Sequence, residues 1–137
     1  MAEGPTELIQ RIPLFSDLDR KEVGQLARTM KARTFSPGET IASEGQRGIG
    51  FFVIESGQAK VTVGGEERGT LGAGDYFGEI ALIDDGPRSA TVTADSELRC
   101  WGLTSWEFKP IVETNAEIAW KLLEALAKRL RSVEQQR

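Results

Sequence analysis

Residues 74–92 read GDYFGEIALIDDGPRSATV and combine turn glycines, a short apolar run, one glutamate and one arginine. Gly78 and the apolar run 80–83 can start a short helix, and the first backbone N–H groups of a helix lack intrahelical partners. A helix end of this kind attracts phosphate. Arg88 adds a permanent charge whose planar fork can donate two parallel hydrogen bonds, and Ser89 adds a hydroxyl. The stretch therefore predicts a site for a phosphate-sized anion.

Glu79 indicates the other half of the ligand. A carboxylate repels phosphate, but it accepts hydrogen bonds from hydroxyl groups. We therefore expect Glu79 to bind the hydroxyls of a sugar, which makes the predicted ligand a small anion with a ribose attached.

From residue 32 to residue 103, short apolar or β-branched runs alternate with glycine turns, which is typical of a closed or sandwiched antiparallel unit. The predicted fold class is α+β, an antiparallel β-roll or jelly roll (double-stranded β-helix) flanked by N-terminal and C-terminal helices. Val61 and Leu71 are candidates for an apolar wall beside a base, and each also fits ordinary core packing. The predicted strands are Thr34-Phe35, Thr40-Ile41, Gly50 to Ile54, Ala59 to Val63, Arg68 to Leu71, Tyr76-Phe77, Ala90 to Ala94 and Leu98 to Leu103.

The segment before the strands, residues 1–31, is predicted to be helical. A first helix is expected from Thr6 to Arg11, and Pro13 interrupts the helical pattern. Ser16 or Asp17 is the expected cap of a second helix.

The segment after the strands, residues 104–137, contains two further helices. Thr104 and Thr114 each begin a capping box, and Pro110 is expected to kink or shorten the first of these helices. The last helix, about 115 to 134, carries an apolar stripe, which we expect the β-roll and a second subunit to cover at different positions along its length. The stripe consists of Ala119, Leu122, Leu123, Leu126, Leu130 and Val133.

The opening stretch resembles the phosphate-binding cassette of the cyclic nucleotide-binding domain family, with the cassette at residues 76–92. Phe-Gly-Glu-Ile-Ala-Leu followed by Pro-Arg-Ser-Ala-Thr meets every position of the family pattern. The resemblance implies that Glu79 binds the ribose 2′-hydroxyl and that Arg88 and Ser89 bind the cyclic phosphate. It also implies that three backbone amides assist, those of Gly78, Ile80 and Ala81. In an inactive relative, Arg88 and Glu79 would instead form a structural ion pair.

From Arg88 onward the chain resembles the bacterial catabolite-activator branch of that family. The resemblance implies that Arg129 reaches toward the phosphate and Glu79. Val133 and Glu134 stand where that branch carries small polar residues that touch adenine, so this contact is altered or absent here. Ser89 in place of threonine favours cAMP over cGMP as the ligand.

The catabolite-activator branch continues into a helix-turn-helix domain, whereas this sequence ends at Arg137. We therefore expect no direct nucleic-acid binding by this chain. We expect either a stand-alone sensor or the regulatory part of a longer protein, acting in both cases on an unknown downstream protein.

Composition limits the classes of function. Lys plus Arg is 17 and Asp plus Glu is 21, and a net charge of −4 argues against a nucleic-acid surface over the whole domain. Cys100 is the one cysteine, and no run approaches the roughly 18 apolar residues of a membrane helix. We expect a single cytoplasmic domain, 1–137, with no membrane contact.

Three function classes compete. An enzyme on a similar β-roll, such as a cupin-type metalloenzyme, depends on histidine ligands, and this chain has no histidine. A fold that has lost its nucleotide and acts as a protein-interaction module is the alternative reading. We predict instead a cyclic nucleotide sensor, not an enzyme, with no metal or cofactor, whose ligand repositions the last helix and which forms a homodimer through that helix.

Overall fold

The computed structural model describes residues 5–47, 50–84 and 86–136. Asp85 of the predicted cassette and residues 1–4 and 137 of the two terminal segments lie outside this description. The helices are α1 (Thr6–Gln10), a 3₁₀ helix (Pro13–Phe15), α2 (Arg20–Thr29), α3 (Ala81–Asp84), α4 (Ser105–Glu113) and α5 (Ala116–Gln135). The strands are β1 (Lys31–Phe35), β2 (Thr40–Ala42), β3 (Phe51–Ser56), β4 (Ala59–Val63), β5 (Glu66–Leu71), β6 (Tyr76–Phe77), β7 (Thr91–Ala94) and β8 (Leu98–Leu103).

The strands form two four-stranded antiparallel sheets, one in the order β1-β8-β3-β6 and the other in the order β2-β7-β4-β5. Apolar side chains of both sheets pack in one core cluster between them. The helices of both termini pack on the first sheet. The predicted β-roll with flanking helices is therefore confirmed.

Strand β3 is apolar on both faces because both faces are covered. Successive side chains of a strand point to opposite sides, so Phe51 and Val53 pack among the helices while Phe52 and Ile54 pack between the sheets. All four are buried. The continuous apolar run in the sequence is thus the consequence of a strand shared by two cores.

The helical core joins the two ends of the chain. The Phe15 ring packs edge-on against Phe51 of β3 and against Phe108 of α4, with centroid distances of 5.7 and 6.3 Å. Ile118 and Leu122 of α5 are buried in the same cluster. The first half of α5 is therefore anchored to the body of the domain.

Two predicted helix caps are wrong. Helix α2 is capped by Asp19, whose carboxylate accepts from the Glu22 amide, because Ser16 instead closes the 3₁₀ turn by donating to the Pro13 carbonyl. Thr114 does not begin a capping box for α5. Its hydroxyl donates to the Pro110 carbonyl at 2.8 Å and so caps the carboxyl end of α4.

The other capping box and the proline prediction lie in α4. Thr104 and Glu107 form the predicted capping box through reciprocal bonds. Pro110 lies inside α4, which ends at Glu113, three residues later. Whether Pro110 kinks or shortens α4 stays a prediction.

Candidate functional site

The cassette begins at a backbone turn that requires glycine. Gly78 has φ +86°, and a Cβ at this position would lie 2.6 Å from the Gly50 carbonyl oxygen and would overlap the Arg88 guanidinium. Left-handed backbone is costly for residues with a Cβ. Gly78 therefore lets the chain turn directly beneath the arginine.

Helix α3, Ala81–Asp84, lies within the stretch in which the sequence predicts a short helix. Residues 79 and 80 form a turn, and the amides of Leu82 and Ile83 bond back to the carbonyls of Glu79 and Ile80. The amides of residues 78–81 consequently precede the helical hydrogen bonds. Residues 78–81 all line one cavity.

Arg88 is held by its backbone and its side chain. Its amide donates to the Gln46 carbonyl and its carbonyl accepts from the Gly45 amide, both at 2.8 Å. Its Nη2 donates to the Gly50 carbonyl. The guanidinium is therefore fixed by main-chain partners before any ligand is considered.

The Nε atom of Arg88 differs from Nη2, which has a hydrogen-bond partner. The Nε atom is buried, and among the described residues it has no hydrogen-bond partner. Burial lowers the pKa of Arg88, and the negative charge of Glu79 acts in the opposite direction. A partly desolvated cation with an unused donor attracts an anion.

Glu79 lies between the cassette and α5. Its carboxylate is 3.4 Å from Nη1 of Arg129, and the side chain is only 12% exposed while that of Arg129 is 58% exposed. Burial and the charge of Glu79 raise the pKa of Tyr76, whereas Arg129 acts in the opposite direction. Tyr76, Glu79 and Arg129 thus form one electrostatic neighbourhood at the contact with α5.

The cassette and Arg129 enclose a cavity of about 440 Å³. It brings together seven of the nine predicted site residues. These are Gly78, Glu79, Ile80, Ala81, Arg88, Ser89 and Arg129.

The two remaining predicted residues lie beside the cavity. Val61 and Leu71 pack against the cluster between the sheets and are not among the residues that line the cavity. Val61 is paired across the sheet with Val92, which does line it together with Ala42. Strands β2 and β7 therefore contribute to the apolar lining of the cavity, together with Phe77 of β6.

The far end of α5 lines a neighbouring cavity of about 510 Å³ that shares Glu79 and Arg129. Val133 lines it, together with Pro13 and Leu14 of the 3₁₀ helix. Both Val133 and Glu134 are exposed.

Several features in and around the cavity were not predicted from the sequence. The Gly50 carbonyl, which accepts from Arg88, carries no side-chain signal. Ala42 is a small residue in a short strand. Asp84 stands inside the quoted stretch, and its charge was the signal that could have identified it.

Two further observations concern metal binding and membrane crossing. Within the described ranges, no three side chains of the histidine, cysteine, aspartate or glutamate type gather as metal ligands would. In the same ranges, no helix has the length and apolar character needed to cross a membrane.

Comparisons with known proteins agree with this geometry. Residues 32–115, more than half of the chain, match the cyclic nucleotide-binding domain family. The chain is 43% identical over 93 residues to a cAMP-dependent protein kinase regulatory subunit of Yarrowia lipolytica, and 42% identical over 92 residues to that of Mycosarcoma maydis. These matches cover 66% and 64% of this chain but only 25% and 18% of the relatives. The chain therefore spans a quarter or less of their length.

Two solved structures show a similar fold. One is the N-terminal domain of a transcriptional regulator from Streptomyces coelicolor A3(2), with a TM-score of 0.84, 32% identity, and coverage of 93% of this chain and 95% of that one. The other is the Thermus thermophilus catabolite activator protein, with a TM-score of 0.71, 29% identity, and coverage of 91% of this chain and 61% of that one. The match over residues 32–115 and these similarities together show that the chain belongs to the cyclic nucleotide-binding domain family.

Proposed function

We propose that this domain is a cAMP sensor in which the nucleotide occupies the cavity between the cassette and Arg129. The observation that carries the proposal is the fixed, partly buried Arg88, which lines that cavity and whose buried Nε has no partner among the described residues. The cyclic phosphate would bind Arg88, Ser89 and the amides of Gly78, Ile80 and Ala81. Its ribose 2′-hydroxyl would donate to Glu79.

The base faces the apolar side of the cavity. Ala42 and Val92 line that side, and Val61 and Leu71 support it from within the sheet pair. A serine at position 89 favours adenine over guanine, and the fungal relatives are named for cAMP. We therefore assign cAMP as the preferred ligand and cGMP as the weaker one.

The regulatory output is α5. Arg129 on this helix contacts Glu79, so a ribose that engages Glu79 changes a contact of α5. The helix is also tied to the N-terminal segment by ion pairs of Lys121 with Glu22 and of Lys128 with Asp17. Ligand binding would redistribute α5 between positions without any chemical step.

A homodimer through α5 completes the proposal. Trp120, Leu123 and Leu130 are 63%, 56% and 62% exposed. With Ala127 they recur at spacings of three, four and three residues, the pattern of a coiled-coil seam. The downstream protein is unassigned, since the relatives are named both as kinase regulatory subunits and as transcriptional regulators. The expected compartment is the cytoplasm.

The test is isothermal titration of the purified chain with cAMP and with cGMP. Hydrogen bonds to charged groups contribute about 1.5–3 kcal/mol each, so Arg88→Ala should weaken cAMP binding at least about tenfold. Arg99→Ala is the matched control, because Arg99 is exposed on β8 and does not line the cavity. Wild-type protein that is folded but binds neither nucleotide would refute the sensor and favour the interaction module. Equal affinity of Arg88→Ala and wild type would refute the assignment of Arg88.

A further inference from the structure

We infer that Ser132 of α5 is a phosphorylation site for a serine kinase that selects arginine before its target, and that the added phosphate weakens cAMP binding by drawing Arg129 away from Glu79. The inference rests on the proposed function of the nucleotide cavity and concerns its regulation by a covalent charge. Ser132 is exposed and lines the cavity of about 510 Å³ that also contains Glu79 and Arg129.

The sequence before Ser132 is basic. Lys128, Arg129 and Arg131 lie four, three and one residues before the serine. An acidic substrate cleft recognises such a run of cations by charge complementarity. The kind of enzyme that this segment fits is therefore an arginine-directed serine kinase.

Ser132 is accessible to an enzyme for two reasons. It lies three residues before Gln135, the last residue of α5, and the terminal turns of helices open most readily. It also follows Leu130 by two residues, which on a helix of 3.6 residues per turn places the two side chains about 200° apart around the axis. The proposed dimer seam, which contains Leu130, therefore leaves Ser132 uncovered.

The modification is a phosphoryl transfer with ATP as the donor. Oγ of Ser132 forms a bond to the γ-phosphorus, the bond from that phosphorus to the β–γ bridging oxygen breaks, and ADP leaves. The hydroxyl proton passes to the catalytic base of the kinase. Ser132 then carries about 1.5 to 2 negative charges at pH 7.

The phosphate would compete for the cations of two existing ion pairs. Residues three and four positions apart are neighbours on a helix, so a phosphate on Ser132 lies beside Arg129 and Lys128. Nη1 of Arg129 is 3.4 Å from the Glu79 carboxylate, and Nζ of Lys128 is 3.3 Å from that of Asp17. The two cationic side chains are 58% and 74% exposed, so both pairs are weak, and a phosphate is the stronger acceptor.

Loss of the Arg129 contact changes the nucleotide cavity. Arg129 lines that cavity, so drawing it toward Ser132 removes a cation from the place where an anionic nucleotide binds. The phosphoserine also adds negative charge in the neighbouring cavity. Both changes disfavour cAMP, but both side chains are exposed and water screens the effect, so we expect about threefold to tenfold weaker binding.

Two measurements test the inference. In the first, the purified chain is treated with an arginine-directed serine kinase and Mg²⁺-ATP, and the phosphate is located by peptide mass spectrometry. In the second, phosphoserine is incorporated at position 132 during synthesis, and cAMP is titrated into this protein and into wild type. Phosphoserine at position 36 is the matched control, because Ser36 is also exposed and follows Arg33 by three residues but lines neither cavity.

The kinase should modify Ser132, and phosphoserine at position 132 should weaken cAMP binding about threefold to tenfold, less so in about 0.5 M NaCl. Phosphoserine at position 36 should keep wild-type affinity. In Arg129→Ala, which has already lost the cation, phosphoserine at position 132 should weaken binding less than in wild type.

Three results overturn the inference. They are an unmodified Ser132 after kinase treatment, wild-type affinity with phosphoserine at position 132, and an equal loss of affinity with phosphoserine at position 36. An undiminished effect in Arg129→Ala refutes the role of Arg129. If wild-type protein binds no cAMP, the proposed function fails and the inference fails with it, whereas cAMP binding that phosphoserine at position 132 leaves unchanged refutes the inference alone.

Discussion

Gly78→Ala should damage both the stability of the domain and its nucleotide affinity. The backbone at Gly78 has φ +86°, and placing a residue with a Cβ in left-handed backbone costs about 1–2 kcal/mol. The new Cβ would also lie 2.6 Å from the Gly50 carbonyl oxygen and overlap the Arg88 guanidinium. The Arg88 side chain must move, and because the Gly50 carbonyl is main chain, the backbone at position 78 or 50 must shift as well.

Displacing Arg88 has a cost that can be separated from backbone strain. Its hydrogen bond to the Gly50 carbonyl is of the charged kind, which contributes about 1.5–3 kcal/mol. Gly38→Ala is the matched control, because Gly38 has φ +89° with nothing within 4 Å of a built Cβ. Gly38→Ala should therefore show the strain alone, a loss of about 1–2 kcal/mol with normal binding.

Urea denaturation and cAMP titration of the two variants provide the comparison. We expect Gly78→Ala to lose about 1.5–3 kcal/mol more than Gly38→Ala and to bind cAMP at least about tenfold more weakly. Stability equal to that of Gly38→Ala together with wild-type affinity would refute the role of Gly78, because it would show that Arg88 keeps its position when a Cβ is present at residue 78.

Two further predictions concern the helices. Leu130→Glu should shift the chain from dimer to monomer in sedimentation analysis, because it places a charge in the proposed dimer seam of Trp120, Leu123, Ala127 and Leu130. A monomeric wild-type protein would contradict the proposed dimer. Burial raises the pKa of Glu107, but hydrogen bonds from Lys31 and Thr104 outweigh it and leave the pKa lowered from 4.5. Ionised Glu107 therefore stabilises the fold above pH 4.5, and this contribution of less than about 1 kcal/mol is lost as the pH falls and the carboxylate is protonated. The free energy of unfolding in urea should therefore change less between pH 7 and a pH below 4 in Glu107→Gln than in wild type.

The sequence predicts the strands well, because alternation and glycine turns are local signals. Strand β4 is predicted with its observed bounds, Ala59–Val63, and so is β8 at Leu98–Leu103. The bounds of β1 were predicted poorly, since Lys31 and Arg33 pair with β8 although four of its five residues are exposed. That strand is fixed by its partner and not by its own apolar pattern.

The caps were harder to predict because several residues competed for each helix end. Ser16, Asp17 and Asp19 are all suitable caps, and the choice depends on where the 3₁₀ helix ends. Glu22 three residues after Asp19 is the local signal that distinguishes them. At Thr114 the capping-box spacing was present, but the short link to α4 drew the hydroxyl back to the Pro110 carbonyl.

The cassette residues could be predicted because their chemistry is unusual for a core, but the apolar wall could not. Valines such as Val61 and Val92 are equivalent in sequence, since both belong to short β-branched strands. Only the pairing of β4 with β7 decides which of them lines the cavity. The prediction of Val61 and Leu71 as base contacts therefore stays open to the cAMP titration of variants at these positions.

Coupling between ligand and helix follows from the placement of one carboxylate. Glu79 is nearly buried and contacts Arg129, which lies in the exposed half of α5. A ribose that binds Glu79 alters the environment of Arg129, and by linkage any partner that moves α5 must alter nucleotide affinity by the same factor. The buried residues Ile118 and Leu122 then anchor one end of α5, and the exposed segment beyond Arg129 is the part expected to respond. In the proposed sensor, the ligand and the last helix share the Glu79 side chain, and this coupling needs no chemical step.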